Sequence, residues 1–367
     1  MIRVAQMMGF MNGGGVESVV MNYYRNINRD AFQFDFIVCE GSKRVPVDEI
    51  RDLGGRLCMV PTYKHLINFQ SAVRHLCIQN SWNIFHSHMN SLSVFPLGAA
   101  KSAGVPVRIA HSHTSTGKGD FLKSALKNAM KSQIDRFPTH MVACSDIAGD
   151  WLFGAGSNYR LIRNVIEIDN FTSSSSVRSR VRAELGIGDD QLLIGHVGRF
   201  VTVKNHKFLL EVFKCVLDSN PQAILALVGD GGLLNNTMSL AHKLGIEKSV
   251  LFLGNRTDVS ELYAGFDLFC LPSLYEGFPM VAIECQASGT PILASDAITH
   301  EASVTGLMEF ESLQREPFVW ARHLLEMRRR ILTDEDRINL EAFDAKRATK
   351  VLEDFYNECL DVVLCRR

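Results

Sequence analysis

Short apolar runs alternate with longer amphipathic segments along most of the chain. The runs of the first half are rich in Val, Ile and Phe, and they read IRVAQMM, FQFDFIVC, GRLCMVP, WNIFHSH, PVRIAHSH and THMVACS. The second half continues with LLIGHVG, AILALVG, VLFLG, DLFCLP and TPILAS. Segments with helical spacing, such as GVESVVMNYYRNI and HKFLLEVFKCVLDS, lie between them. This alternation is typical of an α/β protein whose parallel, doubly wound sheets are covered by helices on both faces.

A polar stretch around the serine run at residues 173–176 interrupts the alternation. Two sets of strands favour two Rossmann-like domains, because a single sheet of that size is less usual. We place the boundary near residues 165–180, with a first domain over residues 1–168 and a second domain from residue 169. The alternative is a surface loop inside one larger sheet. In a two-domain arrangement the ligand-binding strand ends would face each other across a cleft.

Composition narrows the class of protein. Hydrophobic residues make up 46% and charged residues 22% of the 367 residues, and the net charge of -1 gives no argument for nucleic acid as a partner. The nine cysteines are scattered without a CxxC pair, which indicates reduced thiols in a cytoplasmic protein. No apolar run has the length of a membrane span, and NGGGVES is not a cleavage-site pattern, so we predict no signal peptide.

The stretch MMGFMNGGGVES follows the first apolar run and opens a predicted helix. Gly13, Gly14 and Gly15 allow close approach of a ligand to the backbone, and the helix N-terminus favours an anion. The spacing differs from G-x-G-x-x-G, but Glu40 ends the second strand, where a nicotinamide enzyme would bind ribose. A dehydrogenase or epimerase therefore remains open, as does a glycine turn that binds nothing.

Two cations follow the first strand of the second half, in GHVGRFVTVKNH. Arg199 and Lys204 lie beyond a tight turn at Gly198, and a guanidinium with an ammonium suits a pyrophosphate. The alternative is an ordinary pair of surface cations. The turn VGDGG, which contains Gly229, follows the next strand. By itself it is weak evidence for a ligand site.

The stretch LYEGFPMVAIEC holds two glutamates. Pro279 is expected as the first helical residue, because its missing N–H costs nothing there. Glu276 then lies in the loop, whereas Glu284 lies inside a helix among apolar neighbours and needs a partner. The backbone amides of residues 277–280 could hold hydroxyl or carboxylate oxygens.

Two His-x-His stretches end strands of the first half. His86 and His88 end one strand, and His111 and His113 end the next. Each pair could bind a metal, but acidic ligands at matching strand ends are lacking, so we expect no metal site and favour hydrogen-bonding or structural roles.

A basic stripe runs through GKGDFLKSALKNAMKSQIDR, where Lys123, Lys127 and Lys131 share one helical face with apolar residues beside them. A basic amphipathic helix can lie on an anionic membrane, whereas the usual alternative is a solvated face. The sequence therefore permits a peripheral contact with the inner face of the cytoplasmic membrane.

Together these motifs resemble glycosyltransferase family 4, the retaining nucleotide-sugar transferases with the two-Rossmann GT-B fold. The stretches GGVES, HSHT, VACS, IRNVIEIDNF, GRFVTVKN, VGDG, EGFPMVAIE and TPILASD fall in the family order. The chain is most similar to enzymes of bacterial exopolysaccharide or capsule synthesis. The resemblance implies that the second domain ends near residue 344 and that a helix over residues 345–367 returns to the first domain.

The resemblance also implies roles for individual residues. Catalytic roles fall on His113, Arg199, Lys204 and Glu276. His113 matches the family histidine that faces the transferred sugar better than His111 does. Glu276 would sit at the sugar and Glu284 at the ribose. Donor contacts are implied for Gly14, Gly15, Gly198, Gly229, Gly277, Phe278, Pro279, Met280 and Glu284.

One segment departs from the family pattern. After Asp296 the family often carries a glycine-rich turn and a Pro-Glu pair, whereas this chain reads AITHEASVTGL, with Glu301 as a possible replacement. Since this segment shapes the donor pocket, the identity of the donor stays open.

The expected reaction is retaining transfer of a sugar from a nucleotide diphosphate, with a UDP-sugar favoured, to a hydroxyl of a glycan or lipid-linked acceptor. Two cations and helix-end amides would stabilise the departing diphosphate, so no metal or other cofactor is expected. The alternatives are an NAD-dependent sugar-nucleotide dehydrogenase or epimerase and a non-catalytic sugar-nucleotide-binding protein.

Overall fold

The computed structural model describes residues 1–113, 130–171 and 174–364, with side chains up to residue 362. The chain divides into two compact units, one formed by Met1–Val165 with Phe343–Arg367 and the other by Ile166–Ala342. Each unit is an α/β domain built on one parallel sheet, which confirms the predicted fold class. Among the described residues, no helix combines the length and the apolar character that crossing a bilayer requires.

The sheet of the first unit has seven parallel strands in the order β3-β2-β1-β4-β5-β6-β7. The central strands β1, β2, β4 and β5 are largely buried and apolar, as a sheet covered on both faces requires. The short last strand was not predicted from the sequence. The strands are β1 (Ile2–Gly9), β2 (Phe32–Cys39), β3 (Arg56–Val60), β4 (Ile84–Ser87), β5 (Val107–Ser112), β6 (His140–Ala143) and β7 (Arg160–Leu161).

The described helices of the first unit connect these strands and cover the sheet. In chain order they are α1 (Gly15–Asn26), α2 (Val47–Asp52), α3 (Leu66–Asn80), α4 (Val94–Ser102) and α5 (Asp146–Phe153). The strand order reverses between β1 and β4, so the loops after these two strands diverge from one point. Such switch points are where ligands bind on doubly wound sheets.

The sheet of the second unit has six strands in the order β10-β9-β8-β11-β12-β13, all parallel. They are β8 (Leu193–Val197), β9 (Ile224–Val228), β10 (Val250–Gly254), β11 (Leu268–Leu271), β12 (Ile292–Ser295) and β13 (Met308–Glu311). The last of them was also missed in the sequence. The switch point lies between β8 and β11, the strands that precede the two-cation loop and the first glutamate.

The helices described in the second unit alternate with its strands. They are α6 (Ser175–Glu184), α7 (His206–Ser219), α8 (Leu234–Lys243), α9 (Val259–Gly265), α10 (Met280–Ala287), α11 (Pro317–Glu326) and α12 (Asp334–Glu341). Pro279 stands at the N-cap of α10 and not inside its first turn, so the helix begins one residue later than expected. The missing N–H of Pro279 is still harmless there, because N-terminal amides have no partner within a helix.

The C-terminal helix, α13 (Ala345–Leu364), belongs to the first unit and packs against α1. Its Tyr356 is fully buried. The phenol oxygen lies 3.1 Å from Gln6 Nε2 and 2.8 Å from His86 Nδ1. These contacts attach the C-terminal helix to the sheet of the first unit.

Candidate active site

The switch point of the second unit brings together two of the predicted catalytic side chains. Lys204 ends a short 3-10 turn, Thr202–Lys204, in the loop after β8, and Glu276 lies in the loop after β11. Lys204 Nζ lies 2.7 Å from Glu276 Oε1, and the two side chains are only 15% and 17% exposed. Limited contact with water strengthens such a pair relative to a surface salt bridge.

One backbone hydrogen bond and one side-chain hydrogen bond hold the two loops together. The amide of Leu274 donates to the carbonyl of Val203 over 2.8 Å, and Asn205 Nδ2 donates to the carbonyl of Pro272 over 3.1 Å. Asn205 has a φ of 54°, in the left-handed region that Asn tolerates better than most residues. The position of Lys204 relative to Glu276 is therefore set by the backbone as well as by the ion pair.

Glycines shape the loop that carries Arg199. Gly229 has a φ of +134°, and a Cβ there would lie 2.2 Å from the carbonyl oxygen of Gly198. A Cβ on Gly198 would in turn lie 3.2 Å from both Lys204 Cε and His196 Nε2. The VGDGG turn thus supports the two-cation loop by direct backbone packing, and a donor contact through Gly229 stays a prediction.

Arg199 differs from Lys204 in its surroundings. Its side chain is exposed. In the described part of the chain it forms no ion pair within 4.0 Å, whereas Lys204 is paired with Glu276. The site therefore holds one neutralised cation and one cation that faces solvent, available to an anionic ligand.

Glu284 lies on α10, away from the loop that carries Glu276, as the sequence predicted. Its Oε2 accepts a hydrogen bond from Tyr263 Oη over 2.6 Å. Burial raises the pKa of the carboxyl group, whereas the Tyr263 hydroxyl and the charge of Lys204 act in the opposite direction. Tyr263 is fully buried on α9. This partner was not predicted from the sequence, because an aromatic residue in an apolar helix is typical of the hydrophobic core.

The segment that departs from the family pattern is anchored by the fully buried Gln286 on α10. Its Oε1 accepts from the amides of Val304 and Thr305 over 3.0 and 2.9 Å and from the Thr305 hydroxyl over 2.9 Å. Its Nε2 donates to the carbonyl of Ala302 over 2.7 Å. One side chain, two residues beyond Glu284, thus anchors this segment. This role of Gln286 was not predicted from the sequence.

The glycine loop of the first unit already holds a carboxylate. Glu17, in the first turn of α1, accepts hydrogen bonds from the amides of Asn12 at 2.9 Å and Gly13 at 2.6 Å. Gly14 is the N-cap of this helix and Gly15 its first residue. An anionic ligand at these amides would have to displace Glu17, so donor contacts through Gly14 and Gly15 remain a prediction.

The four histidines at the ends of β4 and β5 form one buried cluster. The rings of His111 and His113 stack with centroids 3.9 Å apart, and those of His86 and His88 lie 4.3 Å apart. Burial lowers the pKa of His86 to about 3 and that of His113 to about 4, so these rings are neutral at pH 7. Burial also lowers the pKa of His88 and His111.

Neutral imidazoles are the form that binds metals, and one ring nitrogen from each of His86, His88 and His111 falls within 4.8 Å of the others. Most ring nitrogens of the cluster, however, are hydrogen-bonded to one another or to neutral side chains. A metal would have to replace those bonds. The expectation that no metal is needed stays a prediction.

His113 is only 3% exposed, and both of its ring nitrogens are engaged. Nδ1 lies 2.8 Å from Asn164 Oδ1, and Nε2 lies 2.8 Å from His88 Nδ1. A sugar hydroxyl that reached this ring would have to take the place of one of these partners. The choice of His113 over His111 as the sugar-facing histidine remains a prediction.

Of the basic stripe, Lys123 and Lys127 lie outside the described residues. Lys131 is described, and its Nζ lies 4.9 Å from the centroid of the Trp151 ring. Burial lowers the pKa of this ammonium group. Lys131 is therefore partly engaged with the protein itself.

Comparison with protein families gives a match in the second half of the chain. The family described as glycosyl transferases group 1 matches residues 177–306. This range includes both cations after β8 and both glutamates.

Three curated proteins illustrate the similarity. Putative glycosyltransferase EpsF of Bacillus subtilis is 37% identical over 87% of this chain and 86% of that protein. The capsular polysaccharide biosynthesis glycosyltransferase CapH of Staphylococcus aureus is 24% identical over 97% of this chain and 99% of its own. An Escherichia coli UDP-Gal:alpha-D-GlcNAc-diphosphoundecaprenol alpha-1,3-galactosyltransferase is 23% identical over 77% of this chain and 76% of its own.

Among solved structures, Anabaena Alr3699/HepE in complex with UDP and glucose superposes with a TM-score of 0.80. The alignment covers 97% of this chain and all of that one at 19% identity, so it establishes a shared GT-B fold. These comparisons give no support to the dehydrogenase or epimerase alternative.

Proposed function

The chain belongs to the glycosyl transferases group 1 family, and from this premise we propose that it transfers a sugar, with retention, from a nucleotide diphosphate to a hydroxyl acceptor. The observation that carries the proposal is the arrangement of Arg199, Lys204 and Glu276 around the switch point of the second sheet. This is the edge at which a doubly wound sheet binds its ligand.

The proposed reaction passes through a centre with oxocarbenium character as the diphosphate departs. Arg199 would hold the diphosphate first, because its guanidinium is exposed and can bind two oxygens. Lys204 would exchange Glu276 for the diphosphate and stabilise the charge that develops on it. Two cations and the amides of Gly277, Phe278 and Met280 would balance this charge, so the proposed reaction needs no metal.

The two glutamates would recognise different parts of the donor. Once Lys204 turns to the diphosphate, the carboxylate of Glu276 is free to accept hydrogen bonds from the sugar hydroxyls. Glu284, held by Tyr263 on a separate element, would accept hydrogen bonds from the ribose. Pro279 and Phe278 would contribute packing at the start of α10, and Gly198 would leave the room that Lys204 needs.

We propose a UDP-hexose or UDP-N-acetylhexosamine as the donor and a glycan or a lipid-linked sugar as the acceptor. The names of two comparison proteins support UDP, since one acts on UDP-Gal and the other was solved with UDP and glucose. The diphosphoundecaprenol acceptor of the first and the capsular role of CapH support a place in exopolysaccharide or capsule synthesis.

With a lipid-linked acceptor, the reaction would take place at the cytoplasmic face of a membrane. We propose that Lys123, Lys127 and Lys131 provide a peripheral contact with anionic lipid. Flotation with vesicles containing phosphatidylglycerol tests this contact. Reversal of the three charges should abolish flotation, and unchanged flotation of that variant would refute the contact.

A donor screen is the decisive experiment for the function. Thermal shift with UDP-, GDP- and ADP-sugars, with NAD(H) in parallel, identifies the nucleotide. Turnover with the stabilising donor should then give an α-linked product from an α-linked donor, by NMR of the anomeric proton, and it should survive EDTA. Stabilisation by NAD(H) alone, or donor binding without turnover or hydrolysis, would overturn the proposal.

A further inference from the structure

The histidine cluster of the first unit is part of one unbranched row of hydrogen bonds. The row begins at Asn164 Oδ1, 2.8 Å from His113 Nδ1. His113 Nε2 lies 2.8 Å from His88 Nδ1, and His88 Nε2 lies 2.8 Å from Gln6 Oε1. This half of the row joins the carboxyl ends of β5, β4 and β1.

The second half continues from the same glutamine. Gln6 Nε2 donates to Tyr356 Oη over 3.1 Å, and that oxygen lies 2.8 Å from His86 Nδ1. His86 Nε2 lies 3.0 Å from His111 Nδ1. The row ends at His111 Nε2, which is buried without a hydrogen-bond partner.

Counting protons leaves few arrangements for this row. A neutral imidazole has one N–H and one lone pair, so a ring that accepts at Nδ1 must donate at Nε2. The amide of Gln6 likewise accepts on one side and donates on the other. The hydroxyl of Tyr356 must do the same if its own proton is to find an acceptor within the row. The row therefore has two fully satisfied neutral states: all four rings carry the proton on Nε2, or all four carry it on Nδ1.

The two states differ in the orientation of two amides. The Nε2–H state keeps Gln6 as the structure has it, with Oε1 towards His88. It turns only the amide of Asn164, whose two ends have the same shape.

The Nδ1–H state keeps Asn164 and reverses Gln6. A row with mixed tautomers would leave a buried donor or acceptor inside it unpaired, at a cost of about 1–3 kcal/mol. The hydrogen-bond geometry thus favours one shared tautomer in all four rings.

We propose that this row is a single ordered unit that holds His86, His88, His111 and His113 in one shared tautomer. Gln6 and Tyr356 are its positioning residues, because they transmit one hydrogen-bond direction between the two histidine pairs. The consequence for His113 is that the row sets whether its Nδ1 donates to or accepts from a sugar hydroxyl that replaced Asn164. That consequence rests on the proposed role of His113, whereas the tautomer order does not.

Nitrogen-15 NMR of the ring nitrogens in the full-length protein at pH 7.5 tests the order directly. All four buried rings should carry the proton on the same ring nitrogen, either Nε2 in every ring or Nδ1 in every ring. A mixture of Nε2–H and Nδ1–H rings among the four, or a stoichiometric transition metal by elemental analysis of the protein, would overturn the proposal.

Transmission along the row is tested by Tyr356→Phe, which removes the central oxygen but leaves the neighbours of His113 in place. We expect His113 to lose its single tautomer and to show both protonated forms. Tyr23→Phe is the matched control, since Tyr23 is also buried and its hydroxyl donates to the Arg163 carbonyl, outside the row. A single tautomer of His113 in Tyr356→Phe, unchanged from the parent protein, would refute the transmission.

Gln6→Met breaks the same link at another atom and provides a second test should the phenylalanine variant not fold. Steady-state kinetics distinguish a failure of the proposed hydrogen-bond row from a failure of the proposed function. Loss of tautomer order in Tyr356→Phe together with a several-fold rise in donor KM, absent in Tyr23→Phe, supports both. Loss of tautomer order with unchanged donor KM and kcat supports the row and overturns the sugar-facing role of His113.

Discussion

The ammonium group of Lys204 lies 2.7 Å from the carboxylate of Glu276, on loops that leave neighbouring strands of the second sheet. Each of these groups is proposed to act on a different part of the donor. The ion pair has no net charge, and it lies in a site that is mostly shielded from water, where an isolated charge would be energetically costly. Donor binding therefore becomes an exchange of partners.

Removal of either cation should slow the reaction with donor at saturation. We expect Lys204→Ala and Arg199→Ala to reduce kcat at least about tenfold, because each loses a group that stabilises charge in the transition state. Steady-state kinetics at saturating donor provide the measurement. Lys207→Ala is the control, since Lys207 is 76% exposed on the neighbouring helix α7 and should leave kcat unchanged. Full kcat in Lys204→Ala would exclude its role in catalysis.

The exchange of partners predicts opposite effects of one substitution on product binding and turnover. In Glu276→Gln, Lys204 loses its competing carboxylate, so UDP should bind several-fold more tightly while kcat falls at least about tenfold. Calorimetric titration with UDP and steady-state kinetics measure the two effects. Glu211→Gln, on helix α7, should change neither UDP affinity nor kcat. Weaker UDP binding to Glu276→Gln would contradict the exchange.

The elements that carry the site could be predicted from the sequence because their signals are local. Apolar runs bounded by Gly and Pro marked most strands, and Pro279 separated Glu276 on a loop from Glu284 on a helix. β7 and β13 were missed, since two and four residues that are not fully buried leave little hydrophobic pattern.

The partners of the site residues could not be predicted, because hydrogen bonds join positions far apart in the chain. Tyr263 and Glu284 are 21 residues apart, and Gln6 and Tyr356 are 350 apart. Nothing in an apolar helix distinguishes a tyrosine that packs from one that also holds a carboxylate. Glu17 is intermediate between these cases. It lies within the glycine motif, but its contact with the loop depends on the conformation of the turn, which the sequence does not specify.

The hydrogen bond between Tyr263 and Glu284 predicts that donor binding depends on pH. Burial raises the pKa of Glu284, and the Tyr263 hydroxyl opposes that rise. Loss of the hydroxyl in Tyr263→Phe should raise the pKa further. As pH falls, the Glu284 carboxylate that accepts hydrogen bonds from the ribose would then become protonated at a higher pH than in the parent protein.

The measurement is donor KM as a function of pH. We expect KM to increase at low pH in both proteins, with the increase beginning at higher pH in Tyr263→Phe and a several-fold larger KM at neutral pH. Tyr159→Phe, in the first unit, should reproduce the parent profile. Coincident profiles for the parent and Tyr263→Phe would show that Glu284 does not bind the donor as an ion.

Gln286 offers a test of the segment that departs from the family pattern. In Gln286→Met, the amides of Val304 and Thr305 lose their buried acceptor and the carbonyl of Ala302 loses its donor. A buried polar group left without a partner costs about 1–3 kcal/mol, so the free energy of unfolding should fall by at least about 2 kcal/mol. Denaturant unfolding measures this loss, and the exposed Gln314→Met should stay within about 0.5 kcal/mol of the parent.

The same substitution should loosen the choice of donor sugar. Since the segment after Asp296 shapes the donor pocket in the family, its release in Gln286→Met should bring the kcat/KM values of two competing UDP-sugars closer together. The comparison requires a temperature at which the variant remains folded. A destabilised variant that keeps the parent's ratio of kcat/KM values would show that the segment stabilises the second unit without selecting the sugar.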